Sequence, residues 1–320
     1  MSTLALVHPS GLLGIELRES LDRRRDLWQE LRLLSDDPDE IGNLTEVRGA
    51  AAMVSPIEDD SFEGVDVAFF CAGMDPSRAV LERLPPATAG VLLALDAGPD
   101  HGHPIVAGVN LETATRDRVL LSPHPGAILL AHLLHPLARF RPRRATATLL
   151  QPVSVFGKEG LDEVFEQTRG ILSFDPAQRR EIFPYQLAFN MTASEPVAAQ
   201  IEDHLGIVLQ RDVDVSTQII QTAVFHGYGV SLHLELEDDP DPEEIREILG
   251  EHPCNDLADE PRILGPINAA GRSEVLVGAV EADVGRRGAC WIWAVMDNLT
   301  CGGALNAIQI LEAIGNLRTQ

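Results

Sequence analysis

The stretch from Thr3 to Pro38 constrains the fold most sharply. Thr3 to Val7 is a short apolar run that ends in a turn, His8-Pro9-Ser10-Gly11-Leu12-Leu13-Gly14. Leu13, Leu17 and Leu21 then recur at i, i+4 and i+8, which marks one face of a helix. Leu31 to Ser35 reads as a second strand, stopped by Asp36-Asp37-Pro38. Val65 to Cys71 reads as a buried strand with a turn at Ala72-Gly73, Gly90 to Asp96 as another, and Arg118 to Leu121 as a further short one. Strand, helix and strand at this spacing argue for a parallel sheet of βαβ units over residues 1 to about 122.

The pattern then changes. Ala145 to Val155 reads as a strand, and Leu161, Val164, Phe165, Thr168 and Ile171 fit one helical face. Val230, Leu232, Leu234 and Leu236 alternate with Ser231, His233 and Glu235, the mark of a half-buried strand. Val275 to Val277 and Trp291 to Val295 look like further strands. Asp241-Pro242-Glu243-Glu244 reads as a helix start, with an acidic cap and Pro at the first position. Gly302 to Leu317 reads as a closing amphipathic helix with Leu305, Ile308, Leu311 and Ile314 on one side. The expected architecture is α/β: a parallel-sheet domain, then an α+β domain with a largely antiparallel or mixed sheet.

Composition removes several function classes. Among 320 residues, 25 are basic and 49 acidic, giving a net charge of −24, the reverse of what phosphate neutralisation requires, so no nucleic-acid partner is expected. Lys158 is the single lysine, and its surroundings lack the P-loop pattern. No apolar run reaches bilayer-spanning length, and Met1 to Pro9 does not read as a signal peptide, so a cytoplasmic protein without a membrane partner is expected. Cys71, Cys254, Cys290 and Cys301 contain no C-x-x-C pair. The pairs His101/His103 and His132/His135 lack further ligands at close sequence spacing, so no metal site is expected.

The turn after the first strand is the clearest ligand candidate. Gly11 and Gly14 open a helix whose N–H groups could hold a phosphate. Asp36 follows at about the separation at which a carboxylate bonds a ribose 2′-OH; it would repel a 2′-phosphate, so NAD fits this pattern and NADP does not. His8 stands where the dinucleotide pattern has its first glycine, and Pro9 removes a donor. The same turn is equally a helix start that binds nothing. Cys301 precedes a helix, which could lower its pKa, or else it is a small residue packed at the helix start. Gln151, Asn190 and Asn298 lie near element ends, where polar residues serve as caps and turns.

Several stretches together resemble the aspartate-semialdehyde dehydrogenase family. Asp297-Asn298-Leu299-Thr300-Cys301-Gly302-Gly303-Ala304-Leu305-Asn306-Ala307-Ile308-Gln309-Ile310 is similar to that family's D-N-L-R-K-G-A-A-x-N-A-x-Q-I. Phe183-Pro184-Tyr185-Gln186-Leu187-Ala188-Phe189-Asn190 resembles F-P-x-x-x-A-F-N, Gln151 to Gly157 resembles Q-x-V-S-G-A-G, and Phe69 to Gly73 resembles F-x-S-A-G. The resemblance implies a Rossmann-like NAD(P)-binding-type domain of residues 1–124 with 302–320, and a catalytic and dimerisation-type domain of residues 125–301. It implies a homodimer and places Gly73 and Asn298 beside Gly11, Gly14 and Asp36 as cofactor-side positions. It also implies reversible conversion of an acyl phosphate to an aldehyde with NADPH, through a cysteine thioester and a histidine base.

The residues that would do this are replaced. The family's N-P-x-C-[ST] falls on Ser122-Pro123-His124-Pro125-Gly126, which puts Pro125, with no nucleophilic atom, at the cysteine position. R-V-P-V-x-x-G-H-S falls on Gln221 to Gly229, so Tyr228 takes the base position and Gln221 that of the substrate-binding arginine. A tyrosine with a pKa near 10 is a poor base at neutral pH. G-R-x-R falls on Gly278-Ala279-Val280-Glu281, and the NADP-binding arginine falls near Asp36 and Asp37. Gln151 and Asn190 are retained. This pattern resembles the Usg-type homologues. It points to a non-catalytic dimeric binding or scaffold protein with no assured cofactor and with a protein partner in amino-acid biosynthesis. The alternative is an NAD-linked oxidoreductase with altered chemistry.

Overall fold

The computed structural model describes residues 2–116, 119–174, 180–193, 198–210 and 213–316. The chain forms two compact units: Met1–His124 with Ile207–Leu209 and Gly302–Gln320, and Pro125–Gly206 with Gln210–Cys301.

In the first unit the elements run β1 (Ser2–Val7), α1 (Leu12–Arg23), β2 (Trp28–Ser35), a hairpin of β3 (Leu44–Val47) and β4 (Ala50–Met53), β5 (Ser55–Pro56), β6 (Val67–Phe70), α2 (Met74–Leu81), β7 (Ala89–Leu92), β8 (His103–Pro104) and β9 (Leu120–Leu121). Seven strands form one sheet in the order β5-β2-β1-β6-β7-β9-β8, and every pairing in it is parallel. Such a sheet must be covered on both faces, and β1 alternates accordingly. Leu4 and Leu6 pack with Leu17 and Leu21 of α1 and with Ile308, Leu311 and Ile314 of the closing helix. Ala5 and Val7 pack on the other face with Met74 and Val80 of α2. The expected parallel-sheet domain is therefore present.

The second unit contains α3 (Pro125–Leu134), β10 (Pro142–Gln151), α4 (Gly157–Leu172), β11 (Met191–Ala193), most of α5 (Ala198–Leu209), β12 (Asp214–Thr222), β13 (Tyr228–Leu236), α6 (Pro242–Glu251), β14 (Asn255–Leu257), α7 (Pro266–Ala269), β15 (Val275–Ala282) and β16 (Ala289–Met296). Its sheet runs β11-β12-β10-β13-β16-β15-β14 and is mixed. β10 is parallel to β12, and β14 to β15; the other neighbours are antiparallel. This is the expected α+β arrangement.

Several boundaries move. β7 ends at Leu92 rather than Asp96, because Asp96 turns back to cap α2. β10 stops at Gln151, and Val153–Phe156 is a 3-10 turn. The closing helix is preceded by a π-helical stretch, Thr300–Leu305, and its α-helical part is Asn306–Asn316. Of the expected strand at Arg118 to Leu121, Arg118 lies outside the described residues, as does Leu317 of the closing helix. The helix start at Asp241 forms as read: its carboxylate accepts the Glu243 N–H at 2.9 Å. Among the described residues no helix is long and apolar enough to cross a membrane.

Candidate functional site

β12, β10 and β13 are adjacent in the second sheet, with Gln151 opposite Gln221 and Leu150 opposite Gly229. That register brings Gln221, Gln151 and Tyr228 together at one end of the sheet. The Tyr228 hydroxyl donates to Gln151 Oε1 at 2.8 Å, and Gln151 Nε2 donates to Gln221 Oε1 at 2.8 Å. Gln221 Nε2 donates in turn to the carbonyl of Thr222 at 2.9 Å, and Thr222 Oγ1 to the carbonyl of Gln151 at 3.0 Å. Tyr228 is 0% exposed, Gln221 1% and Gln151 3%. Buried polar side chains are stable when satisfied, and here they satisfy one another. The phenol is spent as a donor, and burial pushes its pKa well above the ordinary value. Burial thus favours the protonated phenol.

Asn298 lies in an adjoining buried cluster. Its Oδ1 accepts the Gly227 N–H at 3.0 Å, and its amide meets Ser154 Oγ at 3.1 Å. Gly227 has φ +89°, so this turn into β13 is a left-handed glycine position held by Asn298. Pro125 and Asn190 are not part of the network. Pro125 begins α3 and is buried, as proline suits the first helical position. Asn190 is exposed and local: it donates to the Gln186 carbonyl at 3.0 Å and accepts the Met191 N–H at 2.9 Å.

In the first unit, Gly14 does need to be glycine, because a Cβ there would sit 2.5 Å from the Pro9 carbonyl oxygen. Gly11 is the N-cap residue of α1, with open space around it. The other expected cofactor positions are engaged internally. His8 holds the left-handed backbone of the missing glycine at φ +54°, and its Nε2 lies 2.7 Å from Asp36 Oδ1. The carboxylate that would hold a ribose hydroxyl thus has the His8 ring as its partner. Gly73 opens α2, but Met74 N–H donates to Asp96 Oδ1 at 2.9 Å. A carboxylate of the chain itself takes the place at which a helix N-terminus would receive a phosphate. Asp36 and the start of α2 thus have partners from the chain itself, whereas the start of α1 at Gly11 carries no capping side chain.

Burial disfavours the thiolate form of all four cysteines. All four are free. Burial pushes Cys71 and Cys290 up to about 12 and raises Cys254 and Cys301 as well. Of the two readings of Cys301, the packed small residue is the one the fold supports: the thiol is 4% exposed, and desolvation dominates. An alkaline instability follows. Cys290 binds its proton more tightly folded (about 12) than at its ordinary 9.0. Its contribution is therefore complete below about pH 9 and is lost as pH rises towards 12, by up to about 1.4 kcal/mol per pH unit. Tyr228 adds to this above about pH 10. Thermal melts from pH 8 to 11 should show a falling Tm, with a shallower fall in Cys290→Ala; equal slopes would refute the assignment.

The sequence left His132, His252 and Cys254 apart, yet the fold gathers them. One ligand atom from each lies within 4.8 Å of the others.

Comparison with known proteins gives this geometry its context. Residues 134–301 match the family described as "Semialdehyde dehydrogenase, dimerisation domain". The chain is 28% identical to aspartate-semialdehyde dehydrogenase of Rickettsia conorii, with 98% of this chain and 97% of that one aligned. It is 29% identical to a USG-1 protein homolog of Azotobacter vinelandii, with 97% of each aligned. A solved structure described as a probable aspartate-semialdehyde dehydrogenase from Pseudomonas aeruginosa superposes with TM-score 0.89 at 27% identity, covering 100% of this chain and 98% of that one. With the family match spanning more than half its length, and relatives aligned end to end, the chain belongs to the semialdehyde dehydrogenase family.

Proposed function

We propose that this chain is a non-catalytic member of its family, a dimeric binding or scaffold protein that keeps the dehydrogenase fold without thioester chemistry. One observation carries the reading: Tyr228, Gln151 and Gln221 form a closed, buried hydrogen-bonded chain at positions the family resemblance assigns to base, glutamine and substrate arginine. Pro125, at the cysteine position, supplies a helix start instead of a nucleophile. The match of residues 134–301 to a dimerisation domain supports a homodimer. The relatives named as aspartate-semialdehyde dehydrogenases support a protein partner from amino-acid biosynthesis.

The test is turnover by protein purified from a host lacking its own dehydrogenase. Phosphate-dependent oxidation of aspartate semialdehyde with NAD or NADP is expected to match a protein-free blank. The Pro125→Cys/Tyr228→His double variant is expected to stay inactive too, since Gln221 and the His8 turn remain. A rate proportional to the concentration of the natural protein would favour the alternative, an NAD-linked oxidoreductase with altered chemistry.

A further inference from the structure

We propose that His132, His252 and Cys254 form a binding site for a borderline-soft divalent metal ion, zinc by chemistry, at the junction of α3 with the segment after α6. The ligand set is two imidazoles and a thiolate, a combination that selects Zn²⁺ over hard cations such as Mg²⁺ or Ca²⁺.

The fold builds this cluster by specific means. Asn255 Nδ2 donates to the carbonyls of His132 and Leu249, each at 3.0 Å. That buried side chain pins the last turns of α3 to the end of α6. His252 and Cys254, separated by Pro253, then meet His132 across the junction. The His132 and His252 rings are 5.3 Å apart, centroid to centroid. His132 is 3% exposed and His252 7%.

Two further observations point to a cation. His132 Nδ1 is buried with no hydrogen-bond partner, and a buried polar atom left unpaired in a native fold calls for an explanation. The Glu274 carboxylate acts on Cys254, adding negative potential that suits a cation.

Tetrahedral zinc holds such atoms roughly 3.3–3.6 Å apart, from bond lengths of about 2.0–2.3 Å. The three ligand atoms lie within 4.8 Å of one another, so each separation closes by at most about 1.5 Å on binding. The Cys254 N–H donates to His252 Nδ1 at 3.3 Å, a long bond that coordination through Nδ1 would replace. Binding turns the Cys254 thiol into a metal thiolate and releases its proton to solvent. His135, one helical turn beyond His132 and with its ring 6.1 Å from that of His252, is the nearest candidate for the fourth position; water is the other.

The experiment is a Co²⁺ titration of the reduced, chelator-treated full-length protein, with zinc as competitor. A thiolate-to-cobalt charge-transfer band and intense visible bands of four-coordinate cobalt are expected, saturating at one ion per chain and bleached by zinc. Zinc should also raise Tm, as any ligand of the native state does. Cys254→Ser should abolish the charge-transfer band, His252→Asn should weaken the visible bands, and Cys71→Ser should leave both unchanged, with circular dichroism confirming folding. Absence of the charge-transfer band in the natural protein overturns the proposal, and so does its persistence in folded Cys254→Ser. If Cys254→Ser does not fold, His252→Asn decides alone: unaltered cobalt affinity overturns the site.

Discussion

Tyr228→Ala is expected to cost about 4 kcal/mol of stability, and Tyr228→Phe about 2 kcal/mol. The alanine variant empties the space of a fully buried aromatic ring, and such truncations cost about 3–5 kcal/mol. The phenylalanine variant keeps the ring and removes one hydroxyl, leaving Gln151 Oε1 without its donor in a buried site. An unsatisfied buried acceptor costs about 1–3 kcal/mol. Gln151 also holds Gln221, so part of the loss spreads to β12. The effects read out as shifts of the urea midpoint at constant m. A neutral Tyr228→Phe would mean that the hydroxyl is not committed to structure, and the closed-network reading would fail.

Glu163→Ala is expected to be as damaging, although no expected site residue lies on α4. Its carboxylate is fully buried. Oε2 accepts the N–H groups of Glu181 and Ile182, each at 2.8 Å, and Oε1 accepts that of Phe183 at 2.9 Å. One turn on, Gln167 Oε1 accepts the N–H groups of Leu187 and Ala188 at 2.8 and 3.1 Å. Two side chains of α4 thus hold the Phe183–Asn190 segment, whose sequence resembles a family motif. Removing the carboxylate strands three backbone donors at about 1–3 kcal/mol each, so a loss of about 4 kcal/mol or more is expected. For a unit of this size that is a fall in Tm of roughly 8–16 °C. Glu163→Gln keeps one acceptor oxygen and should fall about half as far. Amide exchange at Glu181, Ile182 and Phe183 should accelerate in step; unchanged protection there would contradict the assignment.

These two predictions show what the sequence carried and what it did not. The period-two alternation of Val230 to Leu236 and the repeat of Leu13, Leu17 and Leu21 were legible because each element has one dry and one wet face. Helix α3 was not, since every residue from Pro125 to Leu134 is buried and no periodicity survives. Asp36 was read by its spacing, which suits a ribose; its partner within the fold, His8, is 28 positions away. Asp96 read as the end of a strand, whereas it caps the helix that opens 22 residues earlier. Gln151, Gln221 and Tyr228 were visible one by one, yet only the strand order β12-β10-β13 makes them a chain of hydrogen bonds. The cluster of His132 with His252 and Cys254 was hidden for the same reason, because the ligands approach from elements about 120 residues apart.

We propose that a dehydrogenase fold is kept here with Asp36, the start of α2 and the Tyr228 position engaged by the chain's own side chains. The most direct test is calorimetric titration of the purified protein with NAD and, separately, with NADP. Neither should give binding heat up to millimolar concentration, because Asp36 is engaged by His8 and the start of α2 by Asp96. Micromolar binding of either nucleotide would contradict the account.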